Sequence, residues 1–351
     1  MILKLVLGVV FLLIATALLA DPLNQWTWRF PYPQGNSLYA VTYGGGKFVA
    51  VGANGTIITS TDGYNWTNQT YGAFPNLQGV AYAAGTYAAV GDGGVIVVSS
   101  NAVTWTQVAS VTGNSFHGIA GNSSWYSNGL PQFLAVGDAG TTVKCLNNTN
   151  WSVVSSAITN GLFRVTFATN YSLASPFPNF IVVGNSGTVA SYSTSGFSQR
   201  PHSQFGIAST NNLYAVASSA NGVTAAVGDL NQNPWTYNPH TTNEILYSIN
   251  SGFRWTPQLW VDGLDQNGNS AFWFPSLMFI LHGAAFGTNG FVAVGDTGYT
   301  LEFCYPGVVF TSTNGSSWVE QQNLTSENSL YGCTYGNGLY GKSNSRIIQA
   351  T

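Results

Sequence analysis

From Leu38 onward the chain is written as short apolar runs separated by clusters of Gly, Asn, Asp, Ser and Thr. Runs this short, bounded by turn residues, predict strands and not helices. The phrase VAVGANGTIITSTDGYNW, Val49 to Trp66, returns almost intact as AAVGDGGVIVVSSNAVTW, Ala88 to Trp105. Seven copies can be aligned, with first strands expected to begin at Leu38, Leu77, Phe116, Leu162, Leu213, Leu281 and Leu330. Their spacings are 39, 39, 46, 51, 68 and 49 residues. Such a period, with four short strands per copy, predicts a β-propeller, because one unit cannot cover its own apolar faces.

Each copy has one grammar. In the first, LYAVTY supplies the inner strand, KFVAVG the second, GTIITS the third and YNWTNQ the outer one. The second strands FVAVG, YAAVG, FLAVG and FIVVG are apolar without alternation, as expected when neighbouring blades cover both sheet faces. The seventh copy ends after three strands, while NQWTWRFPYPQGNSL before the first copy mirrors YNWTNQTYGAFPNL before the second. The segment Trp26 to Phe30 is therefore expected to supply the missing outer strand and remove an exposed edge. The expected fold is all-β: a seven-bladed propeller of four-stranded antiparallel blades, closed by an N-terminal strand, in one domain spanning 21–351.

The first twenty residues carry Lys4, an apolar run from Leu5 to Ala15, and small residues at Ala17 and Ala20. That reads as a secretory signal peptide cleaved after Ala17 or Ala20, and its apolar run is too short to span a bilayer. No later run has spanning length, so the mature protein is expected to be secreted, periplasmic or at the cell surface, without a membrane span.

Charged residues make up only 6% of the chain, with a net charge of -3 and no run of Lys or Arg, which excludes a phosphate-backbone partner. Nucleic acid is not expected. No metal-ligand spacing, Walker loop, H-E-x-x-H or G-x-S-x-G occurs, so no cofactor, metal or catalytic residue is assigned. GNGLYG, Gly336 to Gly341, fits a dinucleotide pattern but occupies the turn between two predicted strands, where it reads as a hairpin. DQNGNS, from Asp265, begins like a calcium loop but lacks the later glycine and the bidentate Glu. Of three cysteines, Cys304 and Cys333 fall in neighbouring elements and are expected to bond in an oxidising compartment, whereas Cys145 is expected to be buried and unbonded.

TSTDGYNW and TSTNGSSW resemble the Asp-box of bacterial neuraminidase (BNR) repeats, and the full phrase resembles photosystem II stability/assembly factor-like propellers of the sialidase-superfamily fold. The resemblance implies a turn between third and fourth strands where Asp and Ser bond the local backbone and Trp packs between strands. The Asp62 position becomes Asn101, Asn147, Ser195, Ser251 and Asn314 in other copies. Sialidases also use an arginine triad, but this chain has five arginines in all and no FRIP motif near its start, so that activity is not expected. Arg164 replaces a small residue on an inner strand, within reach of a central channel.

The VGD turns, with Asp92, Asp138, Asp229 and Asp296 and with Asn54 and Asn185 at corresponding places, are expected on one face. Three insertions join that face, after Asp229, Trp255 and Gly298, all from copies five and six. They carry Trp235, Tyr237, Glu244, Trp260, Asp262, Trp273 and Tyr299. His282 and His117 share one position in their copies, one residue into the inner strand. Aromatic faces beside carboxylates suit sugar rings or an extended peptide. The sequence thus predicts a monomeric binding or assembly module that takes a protein segment or a glycan through this face. Its rivals are a glycoside hydrolase using a carboxylate pair among Asp229, Glu244, Asp262, Asp265, Asp296 and Glu302, and a structural cell-surface protein.

Overall fold

The computed structural model describes residues 26–28, 35–70, 74–122, 129–147, 150–168, 178–199, 212–230, 244–252, 254–259, 279–297, 307–321, 329–343 and 347–350. Among these the architecture is antiparallel β. Leu38–Gly44, Lys47–Gly52, Ile57–Ser60 and Thr67–Asn68 form one four-stranded sheet in chain order. The next three copies repeat it, their inner strands running Leu77–Ala83, Phe116–Gly121 and Leu162–Ala168. The expected third strand is shorter at its start, because residues 53–55 make a single tight 3-10 turn before Ile57.

Copies five and six depart from expectation by sharing one eight-stranded sheet. Thr224–Leu230 runs past Gly228, and Phe279–Gly287 begins two residues ahead of Leu281. The two strands pair at Asp229↔Ile280 and Leu230↔Phe279. Asp229 and Asp296 accordingly sit within strands, not in tight turns, since an insertion follows each and the chain has no need to reverse at once. In the last sheet the inner strand is Gly332–Gly336, two residues later than Leu330, and the outermost place is taken by Trp26–Trp28 against Ile347–Ala350. Residues 1–20, the expected export segment, lie outside the described residues, and no helix among the described residues is long and apolar enough to cross a membrane.

Consecutive inner strands pack side by side, and Gly332–Gly336 lies against Leu38–Gly44. The core sits between sheets. One cluster joins Ala88, Val90 and Ile96 to Phe133, Ala135 and Trp151 of the next copy, and another joins Val49, Val51 and Ile57 to Tyr87, Ala89 and Val97. Second strands such as Phe48 to Val51 and Phe133 to Val136 are fully buried, which is why they lack alternation.

The turns before the outer strands show how local chemistry fixes the repeat. A carboxylate oxygen of Asp62 accepts hydrogen bonds from the amides of Tyr64 and Asn65, both at 2.8 Å, while Ser60 Oγ accepts from the Gly63 amide at 2.7 Å. Asn101 and Asn314 accept the same pair of amide bonds. In the fifth copy the expected Ser251 does not hold this place. Asn250 does, accepting from the Arg254 amide at 2.8 Å, because the loop there is one residue longer. Trp66, Trp255 and Trp318 donate from Nε1 to the turn glycine's carbonyl, each at 3.0 Å. Their rings pack inward, as with Trp66 on Phe48 at 6.2 Å between centroids.

Candidate functional site

Each inner strand in the first six copies carries a β-bulge at one position. The ladder register shifts between Leu38 and Ala40, Leu77 and Gly79, Phe116 and Gly118, Leu162 and Arg164, Leu213 and Ala215, and Leu281 and Gly283. The skipped residues are Tyr39, Gln78, His117, Phe163, Tyr214 and His282. A bulge bends the strand and re-aims the side chain of its extra residue. The glycine that ends the second strand's VG pair permits it. A β-carbon on Gly52, Gly91, Gly137 or Gly228 would fall 1.9 to 2.0 Å from the carbonyl oxygen just before the facing inner strand, and one on Gly295 would fall 1.9 Å from that of Ile280.

The re-aimed side chains meet. His117 and Phe163 have ring centroids 5.9 Å apart, Phe163 and Tyr214 5.1 Å, Tyr214 and His282 5.7 Å, and His282 and Tyr331 5.3 Å. Tyr331 then meets Tyr39 edge-on at 6.4 Å. Six rings from six copies thus make a continuous collar, with Gln78 at the remaining place. All sit within the separations at which aromatic pairs attract. They are half-buried, except that Tyr331 is 38% exposed.

Acidic residues at the ends of the second strands hold the polar members. Nε2 of His117 lies 2.7 Å from Asp138, and Nε2 of His282 lies 3.0 Å from Asp296. The Gln78 amide donates to Asp92 at 3.1 Å, and the Tyr214 hydroxyl donates to Asp229 at 3.3 Å. Burial, with the Asp229 carboxylate nearby, raises the Tyr214 phenol above its ordinary range. Asp296 is the drier acid, its side chain 10% exposed against 54% for Asp138, so its bond to histidine is the better protected from water. Asn54 does not join this set. Ala53 occupies the corresponding place in the first copy, and Asn54 is the next residue, at φ 53°.

Between the inner strands lies a cavity of about 350 Å³. Its wall combines small and apolar residues of those strands with the hydroxyl-bearing Tyr39, Thr42, Tyr82 and Thr166, and Arg164 is its one charged member among the described residues. Arg164 Nη1 donates to the carbonyls of His117 and Phe163. Burial lowers this guanidinium from its usual range to about 10.

Of the residues expected from sequence to form the site, His282 is in the collar. Trp235, Tyr237, Trp260, Asp262, Trp273 and Tyr299 lie outside the described residues, as do Asp265, Glu302 and Cys304. Glu244 opens a strand opposite Leu259, with only its backbone described. The strand ends at Leu230, Thr297 and Phe279 that border the three insertions are on the collar's side of the sheets. Sγ of Cys333 lies 3.6 Å from the Val292 carbonyl, and Cys145 is buried. The collar itself was missed by sequence reading except for the shared place of His117 and His282. The available signal was the residue after the first Leu or Phe of every copy, which is aromatic or polar throughout.

The sequence matches no family model and no curated protein. Solved structures do resemble the fold. YCF48 bound to D1 peptide aligns over 93% of this chain and 94% of its own, at 11% identity and a TM-score of 0.60. Streptogramin B lyase aligns over 94% and 99%, at 13% identity and 0.63. The GH74 enzyme of Niastella koreensis aligns over 92% of this chain and 53% of its own, at 14% identity and 0.61. The chain folds as a β-propeller. At these identities the likeness shows the fold alone, and a propeller hosts binding proteins and enzymes alike.

Proposed function

We propose that this protein is a binding module that takes an extended protein segment across the collar face. The observation that carries the reading is the unbroken run of six rings from His117 round to Tyr39, with hydrogen-bonded acids behind it. Rigid aromatic faces bury apolar area at small entropic cost, and the acids that bond His117, Tyr214 and His282 hold those rings in place for a ligand. That a propeller with this fold binds a peptide in YCF48 favours the same class of ligand here. Asp229 and Asp296 are each engaged by a collar ring, which supports a binding role for them over a hydrolytic one.

The wider reading has seven blades, with Trp26–Trp28 closing the ring, BNR/Asp-box turns as its braces, and residues 1–20 as an export signal. In it the mature domain, 21–351, works as a monomer outside the cytoplasm, Cys304 bonds Cys333, and Trp235, Trp260 and Trp273 extend the collar as stacking platforms. The test is a combined peptide and glycan array with the mature protein and with Tyr331→Ala and Phe163→Ala. Retention of peptides by the parent, lost in both variants, supports the reading. Retention of glycans only, or of no ligand, overturns it.

A further inference from the structure

One inner-strand position breaks the repeat. The residue after the collar member is Ala40, Gly79, Gly118, Ala215, Gly283 and Gly332 in six copies, and Arg164 in the fourth. Small residues there let adjacent inner strands approach closely. A β-carbon on Gly118 would already lie 2.9 Å from the Cα of Arg164. A long cationic side chain at such a position has only the central cavity to enter, and Arg164 does line it.

The cation is held but not neutralised. Nη1 donates to the carbonyls of His117 and Phe163, which fixes the guanidinium just inside the collar. Among the described residues neither ion pair involves it, and no other Lys, Arg, Asp or Glu lines the cavity. Burial alone lowers its proton affinity, with no neighbouring acid acting against that, yet at about 10 it stays charged at neutral pH. A half-buried cation with two carbonyl partners and no anionic partner among the described residues costs stability that an alanine or glycine at this position avoids. Its remaining N–H groups form a planar fork suited to a carboxylate.

We propose that the cavity inside the collar is a carboxylate site in which Arg164 is the anion-binding group. The single positive charge matches a monoanion, not a phosphate dianion, and the small residues around it, with Thr42 and Thr166 among them, leave room for a compact neighbour of that carboxylate. This rests on the collar reading and deepens it: a segment crossing the collar places a carboxylate, from its C-terminus or an acidic side chain, in the channel. A free small carboxylate would satisfy the same chemistry.

The experiment uses the mature protein and Arg164→Ala, which installs the residue type other copies carry and is expected to fold. Melting temperature is measured with sodium acetate, acetamide, phosphate and chloride at matched ionic strength. Binding is measured for N-acetylated tetra-alanine with a free or an amidated C-terminus. Acetate should raise the melting temperature of the parent alone, and acetamide should not. Affinity for the free-acid peptide should exceed that for the amide, and that of Arg164→Ala, by about tenfold. An acetate shift without peptide discrimination assigns the site to small free carboxylates. Equal acetate shifts in parent and variant, or no acetate shift in either, overturn the proposal. Loss of array binding with a surviving Arg164-dependent acetate shift would instead count against the collar reading alone.

Discussion

A β-carbon on Gly91 would fall 1.9 Å from the carbonyl oxygen of Asn76. Without that carbon the second strand packs closely against the start of the inner strand, where the ladder skips Gln78. The glycine is thus a condition for the bulge, and the bulge for the collar. Gly91→Ala forces the backbones apart and should destabilise the protein by about 3 kcal/mol, as overpacking of a rigid contact does. Equilibrium urea unfolding checks it, and an unchanged midpoint would show that the approach is not essential.

Ala84 and Gly85 turn the second copy's first hairpin with φ 45° and 81°. The same turn is Gly45 and Gly46 in the first copy and Asn337 and Gly338 in the last, where GNGLYG is seen to be a hairpin. Ala84 is exposed, so Ala84→Gly relieves positive-φ strain without removing a packed methyl group. A gain of about 0.5 to 1 kcal/mol is expected in the same unfolding measurement.

Asp62 is held well below the ordinary carboxylate range, chiefly by the amide of Asn65. A depressed folded pKa means its stabilisation is present above the unfolded value of about 4 and is lost as pH falls through the folded one. The advantage of the parent over Asp62→Ala should therefore be constant from neutral pH down to about pH 5 and shrink below it. Melting curves of both proteins against pH read this out. A gap that widens on acidification would contradict the sign.

Tyr331 is the most exposed collar ring and packs against His282 at a tilt and against Tyr39 edge-on. Tyr331→Ala should weaken segment binding by about tenfold or more while moving the melting temperature little. Trp235→Ala and Trp260→Ala serve as the parallel test for the insertions, binding lost at constant melting temperature being the expected result. Earlier melting with normal binding would mark those rings as packing groups.

Ile347–Ala350 is covered on its outer side by Trp26–Trp28. Deleting residues 21–36 exposes that strand's unpaired amides and carbonyls, and the truncated protein should aggregate. Light scattering after refolding checks this. A monomeric product as stable as the parent would remove the N-terminal strand from any closing role.

Much of the fold was legible because it is local and repeated. Gly, Asn and Asp at the joins dictate turns, continuous apolar runs such as Phe48 to Val51 dictate strands covered on both faces, and copying the unit dictates stacking. Asp62, Asn101 and Asn314 could be read as turn braces because their hydrogen bonds reach only two or three residues along the chain. The Ser251 assignment failed by one residue for the same local reason, since a longer loop shifts the brace to Asn250.

Short-range chemistry set the order of strands within a copy, the turn chemistry and the odd placement of Arg164. Folding in three dimensions brings Tyr39, His117, Phe163, Tyr214, His282 and Tyr331 into contact, since those contacts join residues dozens of positions apart. It also joined copies five and six through Asp229 and Ile280. A period-two strand pattern says which face a side chain takes. A bulge changes that face by backbone geometry set between strands, and no pattern along one strand records it.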